Sequence, residues 1–185
     1  HDLYEDAYTT QSSVNSKYRG RKLAEKMESM LYYCPSCGAM ESLYSSKDMV
    51  FCKNCNDLFV YDIHGNISGC EYKNIKELFC FLRDKTLDDA LKKVVYKSPS
   101  AQIISVKNHV ETVLSSGEIT LDDTTLTCGD VVIAIELIDD MAMHGRHALV
   151  FSTIDTYYEI LVSEDVNTLK FYMLFQAYKY GKIDK

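Results

Sequence analysis

Two cysteine pairs with the same internal spacing decide how this chain folds: Cys34-Pro35-Ser36-Cys37 and Cys52-Lys53-Asn54-Cys55. Fourteen residues separate the first pair from the second. Two Cys-x-x-Cys pairs at this separation can bring four thiolates to the corners of a tetrahedron, which is the arrangement that Zn²⁺ prefers. The sequence therefore predicts one zinc ion bound by Cys34, Cys37, Cys52 and Cys55.

The residues around the two pairs predict a zinc ribbon. Gly38 and Asn56 follow the pairs, and both residue types readily adopt the left-handed backbone that such turns need. Residues 39–51 have a strand, turn and strand pattern that returns the second pair to the first. Residues 31–33 and 58–62 are predicted as the flanking strands. The alternative is a set of reduced structural thiols that bind no metal.

A site with four thiolate ligands has no open position for water or substrate, so the metal should organise the fold and should not catalyse. It also changes the charge of the protein. The formal net charge is −7. Four thiolates and one Zn²⁺ add −4 and +2, which gives about −9.

The composition limits the classes of protein to which the chain can belong. Of its 185 residues 46% are hydrophobic, which is enough for a folded core. It contains neither an apolar run of about 18 residues nor a signal-peptide pattern. Seven cysteines, four of them at metal spacing, favour a reducing compartment, and a pI near 5.2 disfavours nucleic acid as a partner. We expect a cytoplasmic protein that contacts a membrane only peripherally, if at all.

A basic cluster between Lys17 and Lys26 precedes the ribbon. It fits two interpretations, an anchor for phosphate groups or the solvated face of a helix. The helix is favoured, because Glu25 and Glu28 interrupt the positive charge.

The segment after the ribbon has the apolar spacing of helices. Residues 72–96 are predicted to form two helices with a break at residues 84–86, because Thr86 followed by acidic residues is typical of a helix start. Cys70 and Cys80 lie apart from the metal pairs and are predicted to be buried apolar residues.

Beyond Ser98-Pro99-Ser100, which predicts a boundary, the hydrophobic period changes from helical spacing to two. About seven short strands are predicted, at residues 103–107, 110–114, 118–121, 124–126, 131–138, 147–152 and 156–162.

A closing helix is predicted after Ser163 as N-cap. One of its faces is apolar and consists of Val166, Leu169, Met173, Ala177 and Tyr180. Seven strands followed by one helix is the layout of a PH/GRAM-like barrel, so the predicted fold class is α+β. The predicted segments are a linker or helical extension (1–30), a zinc ribbon (31–70), a helical connector (71–98) and a PH/GRAM-like domain (99–185).

No group of residues predicts an active site. His144 and His147 are three residues apart, which is more typical of a solvated turn than of a metal site. No glycine-rich phosphate loop, dinucleotide fingerprint or serine elbow is present. The sequence therefore predicts no catalytic residues, and no cofactor-binding residues other than the metal ligands.

One longer stretch resembles a known family. It runs Tyr18-Arg19-Gly20-Arg21-Lys22-Leu23-Ala24-Glu25-Lys26-Met27-Glu28 and continues through Met30-Leu31-Tyr32-Tyr33 to the first cysteine pair. With the second pair, it is similar to the region after the catalytic domain in lysophospholipid (1-acylglycerol-3-phosphate) acyltransferase-like proteins of Firmicutes. In that family a His-x4-Asp motif supplies the general base. The only match to that spacing is His1 to Asp6, without an apolar strand before it or a phosphate-binding motif after it.

The resemblance implies a non-catalytic C-terminal regulatory or docking portion of an acyltransferase-like protein of phospholipid biosynthesis. The catalytic domain would be absent from this chain, and the partner would be that domain or another protein subunit. Lys107 and His109 are too few cations for a phosphoinositide pocket. The barrel is therefore expected to bind protein through Tyr157 and Tyr158. The alternatives are a free-standing zinc-ribbon and PH-like adaptor and, disfavoured by charge, a nucleic-acid-binding ribbon.

Overall fold

The structure, a computed structural model, describes Tyr8, Thr10, Val14 and residues 16–183. The chain forms two compact units, and the boundary between them lies between Leu82 and Arg83. The predicted extension before residue 17 lies largely outside the described residues, and so does the His1 to Asp6 spacing. In the described part the chain is α+β, as predicted.

The first unit contains a four-stranded antiparallel ribbon. The prediction of two strands joined by a turn after the first cysteine pair is confirmed, and so is a third strand. Residues 31–33 do not form a strand, because Tyr33 makes only an isolated bridge to Met40. The fourth strand, with two residues, was not predicted. The strands lie in chain order and are β1 (Leu43–Ser46), β2 (Met49–Cys52), β3 (Leu58–Tyr61) and β4 (Ile67–Ser68).

The basic segment 17–26 is not helical, so that prediction is wrong. A short 3₁₀ helix, Met27–Ser29, follows it. The ribbon takes up the backbone donors that a helix would use: the Leu23 N–H donates to Asp48 Oδ1 at 2.7 Å, and the Lys26 N–H donates to Ser45 Oγ at 2.6 Å. The segment is thereby fixed along the turn between β1 and β2.

A single helix, α1 (Ile75–Leu91), replaces the two helices predicted for the connector. Asn74 Oδ1 accepts from the Glu77 N–H at 3.0 Å and caps its start. The predicted break fails because the acidic residues there pair along the helix and do not cap a new one. Asp89 accepts from Lys85 Nζ at 2.5 Å, four residues earlier.

The second unit is a curled seven-stranded antiparallel half-barrel, which confirms the predicted number of strands and the helix that follows them. Two predicted strands, at 110–114 and 118–121, are one continuous strand, and Met141–His144 was not predicted. The sheet order is β8-β7-β6-β5-β11-β10-β9. The strands are β5 (Tyr96–Lys107), β6 (Val110–Leu121), β7 (Thr125–Cys128), β8 (Val131–Ala134), β9 (Met141–His144), β10 (Ala148–Thr153) and β11 (Thr156–Val162).

The predicted boundary at Ser98-Pro99-Ser100 is wrong, since these residues lie inside β5. Proline has no N–H for a sheet ladder and is tolerated where pairing is irregular. The register of β5 against β6 shifts between Ser98 and Ala101, which leaves Pro99 outside the regular ladder. The strand therefore continues through a sequence that usually ends one.

Helix α2 (Thr168–Tyr180) closes the second unit. Its N-cap is Asn167, whose side chain accepts from the Leu169 N–H, and the predicted cap at Ser163 is wrong. The predicted single apolar face is also wrong, because Tyr180 is exposed and most of the helix is buried around its circumference. The fully buried side chains are Lys170, Phe171, Met173, Leu174 and Phe175.

Candidate metal centre

The four cysteines predicted as ligands lie in two turns of the ribbon unit. Cys34 and Cys37 occupy the turn after Tyr33, while Cys52 ends β2 and Cys55 lies in the following turn. Each turn closes with a backbone bond to its first cysteine. The Gly38 N–H donates to Cys34 O at 2.9 Å, and the Asn56 N–H donates to Cys52 O at 3.0 Å.

The backbone at Gly38 and Asn56 has the left-handed conformation that the sequence predicts. Gly38 has φ +69° and Asn56 has φ +61°. No heavy atom outside the neighbouring residues lies within 4 Å of the position of a Cβ at Gly38. The preference for glycine there is thus conformational, not steric.

The sulfur atoms have the separation of a tetrahedral site. All four Sγ atoms lie within 4.8 Å of one another. Cys34 Sγ is 3.8 Å from Cys55 Sγ, and Cys37 Sγ is 3.8 Å from Cys52 Sγ. A tetrahedron with Zn–S bonds of about 2.3 Å has edges of about 3.8 Å. The cluster can therefore hold one metal ion between the two turns.

Two residues outside the cysteine pattern form hydrogen bonds with the sulfur atoms. Ser42 is buried, and its Oγ lies 3.3 Å from Cys52 Sγ. The Asn54 backbone N–H donates to Cys52 Sγ and its side-chain amide donates to Cys37 Sγ, both at 3.4 Å. Donors directed at sulfur stabilise the thiolate form that a metal requires. The sequence analysis missed this role of Ser42 and Asn54.

The four thiols differ in acidity. Burial raises the pKa of Cys34 to about 12, despite the N–H groups of Cys37 and Ser36. Burial also acts on Cys52, but donors from Ser42 and two backbone N–H groups outweigh it and lower the pKa to about 6. The donors around Cys52 therefore favour its thiolate form, whereas burial disfavours ionisation of Cys34.

The other two thiols also differ. The Asn54 amide and the Ala39 N–H lower the pKa of Cys37. The Asp57 N–H lowers the pKa of Cys55, but burial and the thiols of Cys52 and Cys37 together raise it. Each cysteine pair thus contains one thiol with a raised pKa and one with a lowered pKa.

The remaining cysteines lie outside the cluster. Cys128 is buried, as is typical of a small apolar residue. Cys70 and Cys80 are only partly buried, so the prediction that they are buried is wrong. Burial raises the pKa of both Cys70 and Cys128. A raised pKa disfavours the nucleophilic thiolate.

The histidines also lie outside the cluster. The backbone N–H of His64 donates to Asp62 Oδ1 within a turn, at 2.8 Å. The ring Nδ1 of His144 lies 3.4 Å from Glu159 Oε1. Among the described residues, the four cysteines form the one group of His, Cys, Asp and Glu side chains with metal-ligand spacing. His144 and His147 are not brought into such a group.

Comparison with known proteins identifies no relative. No protein-family model matches the chain, no curated protein matches it, and no solved structure matches it. Among the described helices, none combines the length and the apolar character needed to cross a membrane.

Proposed function

We propose that this chain is a non-catalytic docking portion of a 1-acylglycerol-3-phosphate acyltransferase-like protein, with a structural zinc ion in its ribbon. The observation that carries the proposal is the cluster of four Sγ atoms together with the stretch that resembles the family. Four sulfur ligands in a tetrahedron favour Zn²⁺ or an iron–sulfur cluster, and the separation of the two pairs favours Zn²⁺. Four protein ligands leave no position for substrate, so the metal would only stabilise the fold.

The family-like stretch is part of the ribbon unit, which supports reading it as one module with the cysteines. The Tyr18 N–H donates to Ile63 O at 2.7 Å, and the Ala24 N–H donates to Lys47 O at 3.0 Å. Ala24 is completely buried and Met27 nearly so. Because Ala24 and Met27 are buried in the ribbon unit, a protein with the same ribbon would need similar residues at these positions for packing.

The docking surface proposed on the half-barrel includes Tyr157 but not Tyr158. Tyr157 and Leu161 are exposed on the outward side of β11. Tyr158 points to the other side of the strand, where it stacks on the buried Phe151 with ring centroids 5.1 Å apart. The expectation that Tyr158 is exposed is therefore wrong. Exposed tyrosine and leucine side chains are typical anchors of protein interfaces.

The experiment is a binding measurement with an acyltransferase catalytic domain that carries the His-x4-Asp motif. The chain should bind that domain, and Tyr157→Ala should weaken binding at least about tenfold. Tyr44→Ala is the matched control, because Tyr44 and Tyr157 are each 43% exposed but lie in different units. Absence of binding, or equal losses with both variants, would contradict the docking proposal.

An acyl-transfer assay with the purified chain tests the absence of catalysis. The chain alone should transfer no acyl group from an acyl thioester to lysophosphatidate, since a closed metal site cannot activate the acceptor hydroxyl. Turnover above the uncatalysed rate, whether or not it depends on the metal, would contradict this part of the proposal.

A free-standing adaptor is the second candidate. The observation that favours it is the division into two units, each with its own buried core, as in tandem binding modules. Binding to a protein that has no acyltransferase activity, through the same Tyr157 surface, would favour the adaptor over the acyltransferase portion.

A further inference from the structure

Strand β6 extends well beyond β7, its neighbour on the side away from β5. β5 pairs with β6 as far as Val110, whereas β7 pairs with β6 only at residues 119–121. The turn after β7 covers β6 near Ser115, whose Oγ accepts from the Asp130 N–H. Within the described residues, β6 from Val110 to Leu114 therefore has no strand on its second side.

This free edge lacks the usual protection against pairing. Val110 is 63% exposed, Val113 is 56% exposed and Leu114 is 44% exposed. Glu111 is the one charged residue in the segment. Natural edge strands are usually short or carry several charges or a proline, because unpaired N–H and C=O groups are a template for another strand.

The direction of the backbone groups follows from the turn. Asn108 and His109 both have positive φ, as in the two-residue turns that join strands. Such a turn makes Lys107 and Val110 a hydrogen-bonded pair, so Val110 and Thr112 direct their backbone groups to β5. Glu111 and Val113 direct theirs away from the sheet, where they can bond another strand.

We propose that this edge pairs antiparallel with the same edge of a second copy of the chain, with Thr112 facing Thr112 of the second copy. In this register Glu111 faces Val113 of the second copy, so the outward backbone groups of both strands bond each other. Val110 faces Leu114, which brings exposed apolar side chains together. No like charges lie directly opposite, and a threonine pair at the centre is favourable.

The sequence favours a second copy over a strand from a different protein because the five residues are complementary to themselves. The register shift between Ile103 and Ile104, opposite Leu114, ends the regular part of β6 where the proposed pairing ends. Each chain has a formal net charge of −7, so the two copies repel at long range. Added salt should therefore strengthen the dimer by screening this repulsion.

The experiment is sedimentation velocity on the full chain over a concentration series. The wild type should form a concentration-dependent dimer. Thr112→Lys and Thr112→Glu each place like charges across the twofold axis and should each weaken the dimer at least about tenfold. An equimolar mixture of the two variants should restore the dimer, because Lys then faces Glu.

A matched control lies on another free edge of the same sheet. Val132 in β8 is 62% exposed, and Val132→Lys should leave the dimer unchanged. Circular dichroism and thermal unfolding verify that each variant is folded. A wild type that is monomeric at every concentration, a Thr112→Lys variant that dimerises like the wild type, or a mixture that stays monomeric would overturn the proposal.

Discussion

In the ribbon unit the strands have two to four residues each, whereas the half-barrel has two strands of twelve residues, and its sheet packs against helix α2. The core side of the ribbon consists of few large side chains, among them Leu43, Val50 and Phe59. The half-barrel instead buries most of α2. A small core rarely stabilises a fold without a metal or a disulfide, while a large core does so by packing. The two units therefore should respond differently to the same perturbation.

Metal removal should produce the largest difference between the units. Structural zinc contributes about 10–16 kcal/mol to the folding of small zinc domains. A chelator, or Cys34→Ser, should therefore unfold the ribbon and leave the half-barrel folded. Hydrogen exchange followed by mass spectrometry should show lost protection between Cys34 and Tyr61 and retained protection in β5 and β6. Cys70→Ser is the control, because Cys70 lies outside the cluster.

A cavity in the half-barrel should give the opposite pattern. Phe171 is completely buried in α2. Phe171→Ala should lower the free energy of unfolding of the half-barrel by about 3–5 kcal/mol. Metal content should not change. Denaturant unfolding and elemental analysis of one sample measure both quantities, and loss of metal in this variant would contradict the independence of the two units.

Two glycines of the half-barrel separate backbone conformation from close packing. Gly129 has φ +56° and Gly145 has φ +66°. A Cβ at Gly129 would lie 2.9 Å from Ser116 O, whereas nothing lies within 4 Å of one at Gly145. Gly145→Ala should destabilise the half-barrel by about 1 kcal/mol from conformation alone. Gly129→Ala should destabilise it by about 2–3 kcal/mol. Equal losses in urea unfolding would show that the close approach is relieved by movement.

The smallest predicted effect depends on pH. Burial opposes ionisation of Asp122, but hydrogen bonds from Thr124 and Thr125 outweigh it and lower the pKa of its carboxyl group. Because the folded state has the lower pKa, this stabilisation is present above the ordinary pKa of 3.8 and is lost as the pH falls through the folded value. Asp122→Ala should destabilise the half-barrel by about 1 kcal/mol at pH 7.

That difference should become smaller at low pH, because the protonated carboxyl group accepts only the weaker, neutral hydrogen bonds. Asp122→Asn is its control, since the amide oxygen can still accept from the Thr124 and Thr125 N–H groups. Urea unfolding at neutral and acid pH measures the difference. A loss with Asp122→Ala that is as large in acid as at pH 7 would contradict the role of the ionised carboxylate.

The sequence predicted those features that depend on neighbouring residues. The spacing of the cysteine pairs and the residue types at Gly38 and Asn56 are local, so the metal cluster and its turns could be identified. The alternating pattern similarly predicted six of the seven strands of the half-barrel, although it divided β6 in two and missed β9. Ser42 could not be assigned, because its position beside Cys52 depends on the pairing of β1 with β2.

The predictions that failed concern residues whose partners are distant in the chain. The helix expected at residues 17–26 does not form, since Asp48 and Ser45 take up its backbone donors. Pro99 was interpreted as a boundary because its irregular pairing with β6 is not visible in the sequence. In each case tertiary contacts outweighed local preference.

Native mass spectrometry of protein purified without chelator tests the central claim most directly, because it measures the metal bound to each chain. The account predicts one zinc ion per chain, lost in Cys34→Ser and Cys52→Ser and retained in Cys128→Ser. Wild-type protein without a stoichiometric metal, or a Cys52→Ser variant that still binds one zinc ion tightly, would contradict it.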